Sequence, residues 1–242
     1  MSSSEYSVMS NITTKVDESY ISWNRDDYVK LLETYGIPAE WGPEYPADGS
    51  VASQPPSGKM ALYADYFLHA NFRLPITKFL GKIIRNYQIH ISQLHPRSMA
   101  RIRHFEFICT VHNLQPRIDW FPVFYQLALS KSWYKCQGFI GRRLGKEAEE
   151  IPKHWRKRFF WISEDVIPLN MARRPVDSPL PVVTAALDPE SQSWFLTLLS
   201  QPAPMRALPE EALVWAGMSR LWSEDHLEPI FVDNHGCKIS IL

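Results

Sequence analysis

The most suggestive chemistry in the chain is a cluster of cations between residues 142 and 158. The cluster contains Arg142, Arg143, Lys146, Lys153, Arg156, Lys157 and Arg158, with His154 and Trp155 among them. Cations neutralise phosphates and release counterions, and exposed aromatic rings stack on unpaired bases. The composition therefore favours binding to single-stranded nucleic acid, RNA or DNA. The alternative is a solvated surface that Glu147, Glu149 and Glu150 partly balance.

A second basic surface is predicted on a helix that begins near Ile76. Apolar residues recur there at spacings of three and four, which is typical of a helix with one buried face; they are Ile76, Phe79, Leu80, Ile83, Ile84 and Tyr87. The opposite face carries Lys78, Lys82 and Arg85. We expect these three cations to contact nucleic acid together with the 142–158 cluster.

Catalytic chemistry finds little support in the same block. Strand transfer would need carboxylates that hold two metal ions, and the central block offers Asp65, Glu106 and Asp119. Glu106 falls inside a predicted helix, and Asp119 is well suited to cap another. The spacing of the acidic residues does not single out three carboxylates that could bind two metal ions. We therefore expect no catalytic residues, no metal site and no cofactor, and we expect that the protein is not an enzyme.

Two further patterns depart from known site motifs. Residues 141–147 resemble a phosphate-binding loop, but only three residues separate the glycines and Glu147 follows Lys146, where the loop requires Ser or Thr. Cys109 and His112 lie one helical turn apart, without a second pair of matching spacing. A flexible basic loop and a buried cysteine account for these residues better than a phosphate or metal site does.

The net charge of zero conceals a strong partition along the chain. Residues 59–158 contain 18 Lys and Arg against 6 Asp and Glu, a net charge of +12. Residues 1–58 and 159–242 each carry −6, from 3 against 9 and from 5 against 11. The basic block is therefore expected either to meet an anionic partner or to be covered by the acidic flanks of its own chain.

Composition restricts the location and class of the protein. The 242 residues are 45% hydrophobic, enough for a sizeable core, and no apolar run approaches the roughly 18 residues of a membrane span. The polar first residues lack the apolar core of a signal peptide. Three scattered cysteines do not suggest a disulfide framework. We expect an intracellular protein without a membrane partner or a small-molecule substrate.

The pattern of elements predicts a mainly α fold, with a compact helical domain and a small β-hairpin element. Helices are expected over 25–35, over 61–71, from Ile76, after Pro96, and after the Asp119 cap through Ala128. Aromatic runs at 133–137 and 158–162 predict the two hairpin strands. We divide the chain into a disordered tail at 1–20, the helical domain at 21–162, a proline-rich linker at 163–187 and a less regular C-terminal segment at 188–242. That segment is expected to contain helices from Asp188 and from Glu210 to Gly217, and β-rich ends between Ile230 and Ile241.

Several short motifs, in order, resemble a domain of gypsy-type plant retrotransposon proteins that is often labelled transposase. The matching stretches are Tyr35-Gly36-Ile37-Pro38, Leu62-Tyr63-Ala64-Asp65-Tyr66-Phe67, Phe72-Arg73-Leu74-Pro75, Phe79-Leu80, Gln93-Leu94-His95-Pro96, Leu114-Gln115-Pro116, Trp133-Tyr134, Trp155-Arg156-Lys157-Arg158-Phe159-Phe160 and Ala216-Gly217-Met218-Ser219. His95 stands where that family more often has Asn, and Met99 where it often has Trp. The resemblance implies a gag-like or otherwise element-derived polypeptide without established catalytic residues, and it transfers no functional residue by position.

Three hypotheses follow from these observations. The first is a non-enzymatic, gag-like domain that binds nucleic acid through its basic block and self-associates. The second is a protein-interaction scaffold in which the acidic flanks engage the basic block or a partner. The third, and least favoured, is a metal-dependent transposase or nuclease that uses Asp65.

Overall fold

The computed structural model describes residues 21–139, 142, 144–146, 151–168, 172–175, 177–200, 203–204 and 208–220. The predicted tail at 1–20 and the predicted strands between Ile230 and Ile241 lie outside these residues. The boundaries between the four predicted segments stay predictions.

Seven α-helices occur in the described part of the chain. They are α1 (Arg25–Thr34), α2 (Ala64–His69), α3 (Lys78–Tyr87), α4 (Pro96–Val111), α5 (Phe121–Phe124), α6 (Pro189–Ser200) and α7 (Glu210–Trp215). Short 3₁₀ helices cover Ala39–Trp41, Ile91–Gln93, Trp155–Lys157 and Glu164–Val166. None of the helices in this part of the chain is long and apolar enough to cross a membrane.

Local capping explains where the longer helices begin. The Asn24 side chain accepts a hydrogen bond from the Asp27 N–H at 2.6 Å, and Thr77 accepts one from the Leu80 N–H at 3.3 Å. Each bond satisfies a backbone donor that the first helical turn leaves without an intrahelical partner. The predicted start of α1 therefore agrees with the structure, whereas α3 begins at Lys78, two residues after the predicted Ile76.

The described residues include six strands, which form three two-stranded sheets. The strands are β1 (Lys59–Tyr63), β2 (Tyr125–Ser130), β3 (Trp133–Gly138), β4 (Gly145–Lys146), β5 (Phe159–Ser163) and β6 (Ala203–Pro204). β1 pairs antiparallel with β5, from Lys59 opposite Ser163 to Tyr63 opposite Phe159. β2 and β3 form an antiparallel hairpin, whereas β4 and β6 are parallel.

The prediction of a mainly α fold is wrong. Helices account for 41% and strands for 14% of the described residues, so the fold mixes the two classes. Two predicted helices are the source of the error. Residues 59–63, at the start of the helix expected over 61–71, pair with β5, and the helix expected to run to Ala128 ends at Phe124, where β2 begins.

The strands predicted at 133–137 and 158–162 are both present as β3 and β5, but they do not pair with each other. β3 pairs with β2 across a turn at Lys131 and Ser132, and β5 pairs with the distant β1. Backbone pairing therefore overrides the local helical pattern at both sites, with a distant strand at β1 and with the adjacent strand of a hairpin at β2, because each paired strand satisfies its backbone groups and buries one face.

One large aromatic core holds these elements together. Fully buried rings include Tyr63, Tyr66, Phe72, Phe105, Phe121, Phe124, Phe159 and Phe160. Phe195 of α6 joins this core, with its ring 4.5 Å from that of Phe124. α6 therefore packs on the same core as the central block, whereas Leu213, Ala216 and Met218 form a second, smaller cluster.

A buried charge pair also joins α7 to the central block. The Arg73 Nε atom donates to both Glu210 carboxylate oxygens at 3.0 Å. The Cζ atom of the same guanidinium lies 4.4 Å from the centroid of the Tyr35 ring. Arg103 pairs with Glu106 at 2.5 Å and donates to the Met218 carbonyl at 3.0 Å. Both arginines are buried, and both bind residues beyond position 207.

Candidate functional site

The structure brings four cations together around His95, at the junction of α4, β3 and the 155–157 helix. These cations are Arg97, Arg101, Lys135 and Arg156, and we call them the His95 cluster. Of the residues predicted to bind nucleic acid, only Arg156 belongs to it. The other three members come from elements that the sequence did not place next to residue 156.

His95 joins the three elements of this site. Its Nδ1 atom accepts a hydrogen bond from the Arg97 N–H at 3.0 Å and so caps α4, with Pro96 in the first helical position. The backbone N–H of His95 donates to the Tyr134 carbonyl of β3 at 3.0 Å. Its ring lies 5.0 Å from that of Trp155, nearly edge to face.

Further contacts fix the first turns of α4 against β3. The Ser98 hydroxyl donates to the Tyr134 carbonyl at 3.1 Å and accepts from the Cys136 N–H at 2.7 Å. Arg101, one helical turn further along, donates to the Cys136 carbonyl. Lys135 lies between Tyr134 and Cys136 in β3. Arg97 and Arg101 are therefore close to Lys135.

Three members of the His95 cluster carry charge that no described carboxylate balances. Arg97, Lys135 and Arg156 are partly exposed, and none of them forms an ion pair with a carboxylate of the described residues. Burial, followed by the charges of Lys135, Arg97, Arg156 and Arg101, lowers the pKa of His95 to about 3. The ring is consequently neutral at pH 7, and the cluster presents its positive charge to solvent.

The predicted cations on α3 lie elsewhere. Lys78, Lys82 and Arg85 are all exposed, as the helical pattern requires. Lys78 and Lys82 line a cavity of about 620 Å³ together with residues 216–220, which do not contribute to the His95 cluster. That the α3 cations bind nucleic acid together with the 142–158 cluster stays a prediction.

The predicted 142–158 cations divide into several groups. Lys153 is exposed next to the 155–157 helix, and Lys157 is partly buried, with its carbonyl accepting the Ser22 N–H at 3.0 Å. Arg142 is exposed, and its N–H donates to the Phe139 carbonyl at 3.1 Å. Arg143 and the Lys146 side chain lie outside the described part of the structure.

Arg158 differs from its neighbours because it faces a buried carboxylate. Its Nε atom lies 3.7 Å from Asp65, whose side chain has no exposed surface, and His69 lies 3.5 Å from the same carboxyl group. Burial raises the pKa of Asp65, while Arg158 and His69 oppose that shift. Arg158 is thus positioned to compensate Asp65.

The three carboxylates considered for metal chemistry each lie beside a different arginine. Asp65 faces Arg158, Glu106 accepts from Arg103 and from the Thr77 hydroxyl, and Asp119 pairs with Arg117. No group of three potential metal ligands occurs among the described residues. Cys109 is buried, and burial raises the pKa of its thiol to about 12. These side chains are held by contacts within the fold.

Part of the His95 cluster could have been found from the sequence. Arg97 and Arg101 are four residues apart and share one side of the predicted helix, so their proximity was visible. Lys135 lies between Tyr134 and Cys136 in a predicted strand. Because side chains alternate between the two faces of a strand, Lys135 is predicted on the face opposite to these two residues. The contact between β3 and the start of α4 places Lys135 next to Arg97 and Arg101, and the sequence does not show that contact.

The acidic flanks cover other parts of the basic block. Glu44 lies 3.7 Å from Lys59, Asp188 lies 3.5 Å from Arg117, and Glu210 pairs with Arg73. None of these three contacts involves a member of the His95 cluster. The described parts of the flanks therefore neutralise cations of the basic block outside this cluster.

Comparison with known proteins assigns the central part of the chain to a family type. Residues 62–129 match the family model described as "Putative gypsy type transposon". The resemblance inferred from the sequence motifs is thereby confirmed, over less than a third of the chain. No curated protein and no solved structure gives a significant match.

Proposed function

We propose that this protein is a non-enzymatic, gag-like domain that binds single-stranded nucleic acid through the His95 cluster. The observation that carries the proposal is the convergence of four cations from three elements, without ion-pair partners for Arg97, Lys135 and Arg156 in the described chain. Phosphates are the natural counterpart of such a surface, because binding releases their condensed counterions. The transposon family match of the central block supports the same class of ligand.

The adjoining residues extend this surface. Lys153 and Lys157 lie within four residues of Arg156 in the chain, and Lys135 sits on the partly exposed face of β3. A backbone that crosses the cluster would meet arginines, which bind phosphate oxygens in a bidentate manner, and lysines, which act as point charges. Trp155 is buried beneath them, so it supports His95 and does not offer a free stacking face.

A salt titration tests the proposal. Fluorescence anisotropy with labelled single-stranded RNA and DNA of about 20 nucleotides measures affinity between about 50 and 200 mM salt. We expect the logarithm of the binding constant to fall linearly with the logarithm of salt concentration, with a slope of about −0.7 for each phosphate neutralised. Absence of binding at low salt, or a flat salt dependence, would remove the proposal.

Two matched triple variants assign the surface. Replacing Arg97, Lys135 and Arg156 with Gln removes three charges from the cluster and should reduce the magnitude of the slope by about 2. The control replaces Lys78, Lys82 and Arg85 with Gln, which removes the same charge from α3. If the α3 variant loses affinity and the cluster variant does not, the interface lies on α3 and the assignment to His95 is wrong.

The second candidate is a protein-interaction scaffold, and one observation favours it. Three carboxylates of the acidic flanks, Glu44, Asp188 and Glu210, already contact cations of the basic block. A scaffold of this kind would bind an acidic protein at the remaining cations without binding nucleic acid. Titration with an acidic protein and with RNA at equal ionic strength separates the two functions, because only nucleic-acid binding predicts preference for RNA at matched charge.

A further inference from the structure

The hairpin formed by β2 and β3 has two outer edges, and they differ. Ser130 pairs with Trp133 across a two-residue turn, and hydrogen-bonded pairs alternate along an antiparallel ladder. The backbone groups of Ser130, Ala128 and Gln126 therefore face β3, and those of Leu129, Leu127 and Tyr125 face outward. The same alternation directs the Tyr134 and Cys136 backbone groups outward on β3, where they bond with His95, Ser98 and Arg101.

The start of α4 thus covers the outer edge of β3, whereas the outer edge of β2 stays open in the described chain. The outward N–H and C=O groups of Leu127 and Leu129 form no hydrogen bond with another described residue, whereas the Tyr125 N–H donates to the Phe121 carbonyl of α5. Natural proteins usually protect such edges with charged residues, prolines or bulges. β2 reads Tyr-Gln-Leu-Ala-Leu-Ser and contains none of these, and Leu129 is 38% exposed.

We propose that the open edge of β2 pairs with β2 of a second copy of this chain, in antiparallel orientation about a two-fold axis. The sequence of the strand is self-complementary in this arrangement, because Leu127 faces its own copy and Tyr125 faces Leu129 of the second molecule. No like charges oppose each other across the axis, so the usual obstacle to self-pairing of a strand is absent. The product is a four-stranded sheet in the order β3, β2, β2, β3.

The pairing has a consequence that rests on the proposed function. A two-fold axis between antiparallel strands of one sheet is perpendicular to that sheet, so equivalent side chains lie on the same face. Lys135 is opposite Ala128 on the partly exposed face, and three interstrand spacings of 4.8 Å place the two β3 strands about 14 Å apart. The dimer therefore presents two His95 clusters on one face, where a single strand of nucleic acid can contact both.

Multi-angle light scattering of the full chain without nucleic acid tests the pairing. We expect a dimer at about 100 μM that dissociates on dilution toward the micromolar range. Leu129→Pro removes one outward N–H and no ladder hydrogen bond, and proline is tolerated at such an edge position. This variant should be monomeric, whereas the matched control Leu129→Val keeps the N–H and should stay dimeric. A monomeric wild type, or a dimeric Leu129→Pro protein, overturns the proposal.

Amide hydrogen exchange keeps the test decisive if Leu129→Pro fails to fold. In the wild-type protein, the Leu127 and Leu129 amides should exchange more slowly at high protein concentration than at low concentration, while the Ala128 amide should be protected at both. Fast exchange of the two outward amides at every concentration overturns the pairing. Protection that appears only with a different protein assigns the edge to another partner and also overturns it.

Nucleic-acid binding separates this proposal from the proposed function. Leu129→Pro should bind a short oligonucleotide like the wild type, but a longer one about tenfold more weakly, because the second cluster no longer adds avidity. A dimer that binds no nucleic acid refutes the proposed function and leaves the pairing intact. A monomer that binds nucleic acid with a steep salt dependence refutes the pairing alone.

Discussion

Acid should unfold this protein in a range that its buried histidines determine. Burial is the main cause that lowers the pKa of His90 and His104 to about 4 and of His95 to about 3. Arg173 adds to the effect at His90, as the four cluster cations do at His95. In the unfolded chain each imidazole titrates near pH 6.5. The folded state therefore keeps three imidazoles neutral over a range in which the unfolded state protonates them.

The sign and size of the effect follow from proton linkage. Above pH 6.5 the three rings are neutral in both states, and no stability is lost. Between pH 6.5 and 4 the unfolded chain binds protons that the folded chain excludes, so the free energy of unfolding decreases. At pH 5 each histidine accounts for roughly 2 kcal/mol, and the three together for roughly 6 kcal/mol, against a typical total of about 5 to 15 kcal/mol.

Hydrogen bonding provides a structural reason for this sensitivity. Nδ1 of His90 accepts the Ser92 N–H at 3.2 Å, and Nδ1 of His95 accepts the Arg97 N–H at 3.0 Å. A proton on either Nδ1 atom would replace an acceptor with a donor and remove the cap. Acidification therefore weakens two helix starts directly, in addition to placing charge in a buried environment.

Urea unfolding, followed by tryptophan fluorescence at pH 7.5, 6.0 and 5.0, measures the effect. His95→Asn keeps a capping acceptor but cannot bind a proton, so it should retain stability at pH 7.5 to within about 1 kcal/mol. Between pH 7.5 and 5.0 it should lose roughly 2 kcal/mol less than the wild type. The exposed His154→Asn is the matched control and should follow the wild-type profile. Parallel pH profiles for His95→Asn and the wild type would refute the reasoning.

Three further predictions concern other buried groups. Glu210→Ala leaves the buried Arg73 guanidinium without its partner and should lower the free energy of unfolding by about 3 to 5 kcal/mol, measured by urea unfolding. Burial raises the pKa of Asp65, so the free energy of unfolding of the wild type should decrease relative to that of Asp65→Asn as pH rises through that pKa. If the difference in free energy of unfolding between the two proteins is the same at pH 3 and pH 7, the prediction is wrong. Burial raises the thiol pKa of Cys109 and Cys136 to about 12, so mass mapping should find both unreactive toward iodoacetamide at pH 8 until urea unfolds the protein.

Local signals predicted the parts of the fold that depend on local interactions. Asn24 marks the start of α1 in the sequence, because a cap and the first helical turn that it serves are adjacent in the chain. β1 gave no such signal, since the run from Met60 to Tyr63 is apolar throughout and fits a buried helix as well as a strand. Its strand conformation depends on residues 159–163, about 100 positions away.

The candidate site shows the same division. Arg97 and Arg101 are neighbours by helical geometry, so the sequence shows that they share a face. Their proximity to Lys135 and Arg156 depends on contacts of His95 with Tyr134 and Trp155, which no local pattern encodes. Arg158 was grouped with the other cations because its neighbours in sequence are basic, but Asp65 faces it from 93 positions away.

The strand pairing also determines the smallest piece of this protein that can fold. The stretch that matches the transposon family, residues 62–129, contains only the last two residues of β1 and all but the last residue of β2, and β5 and β3 lie beyond its end. Excised by itself, it would lack most of β1 and would expose β2 without its partner strand, so it would be expected to precipitate. Expression trials should therefore extend at least through Ser163, so that each strand is made together with its complement.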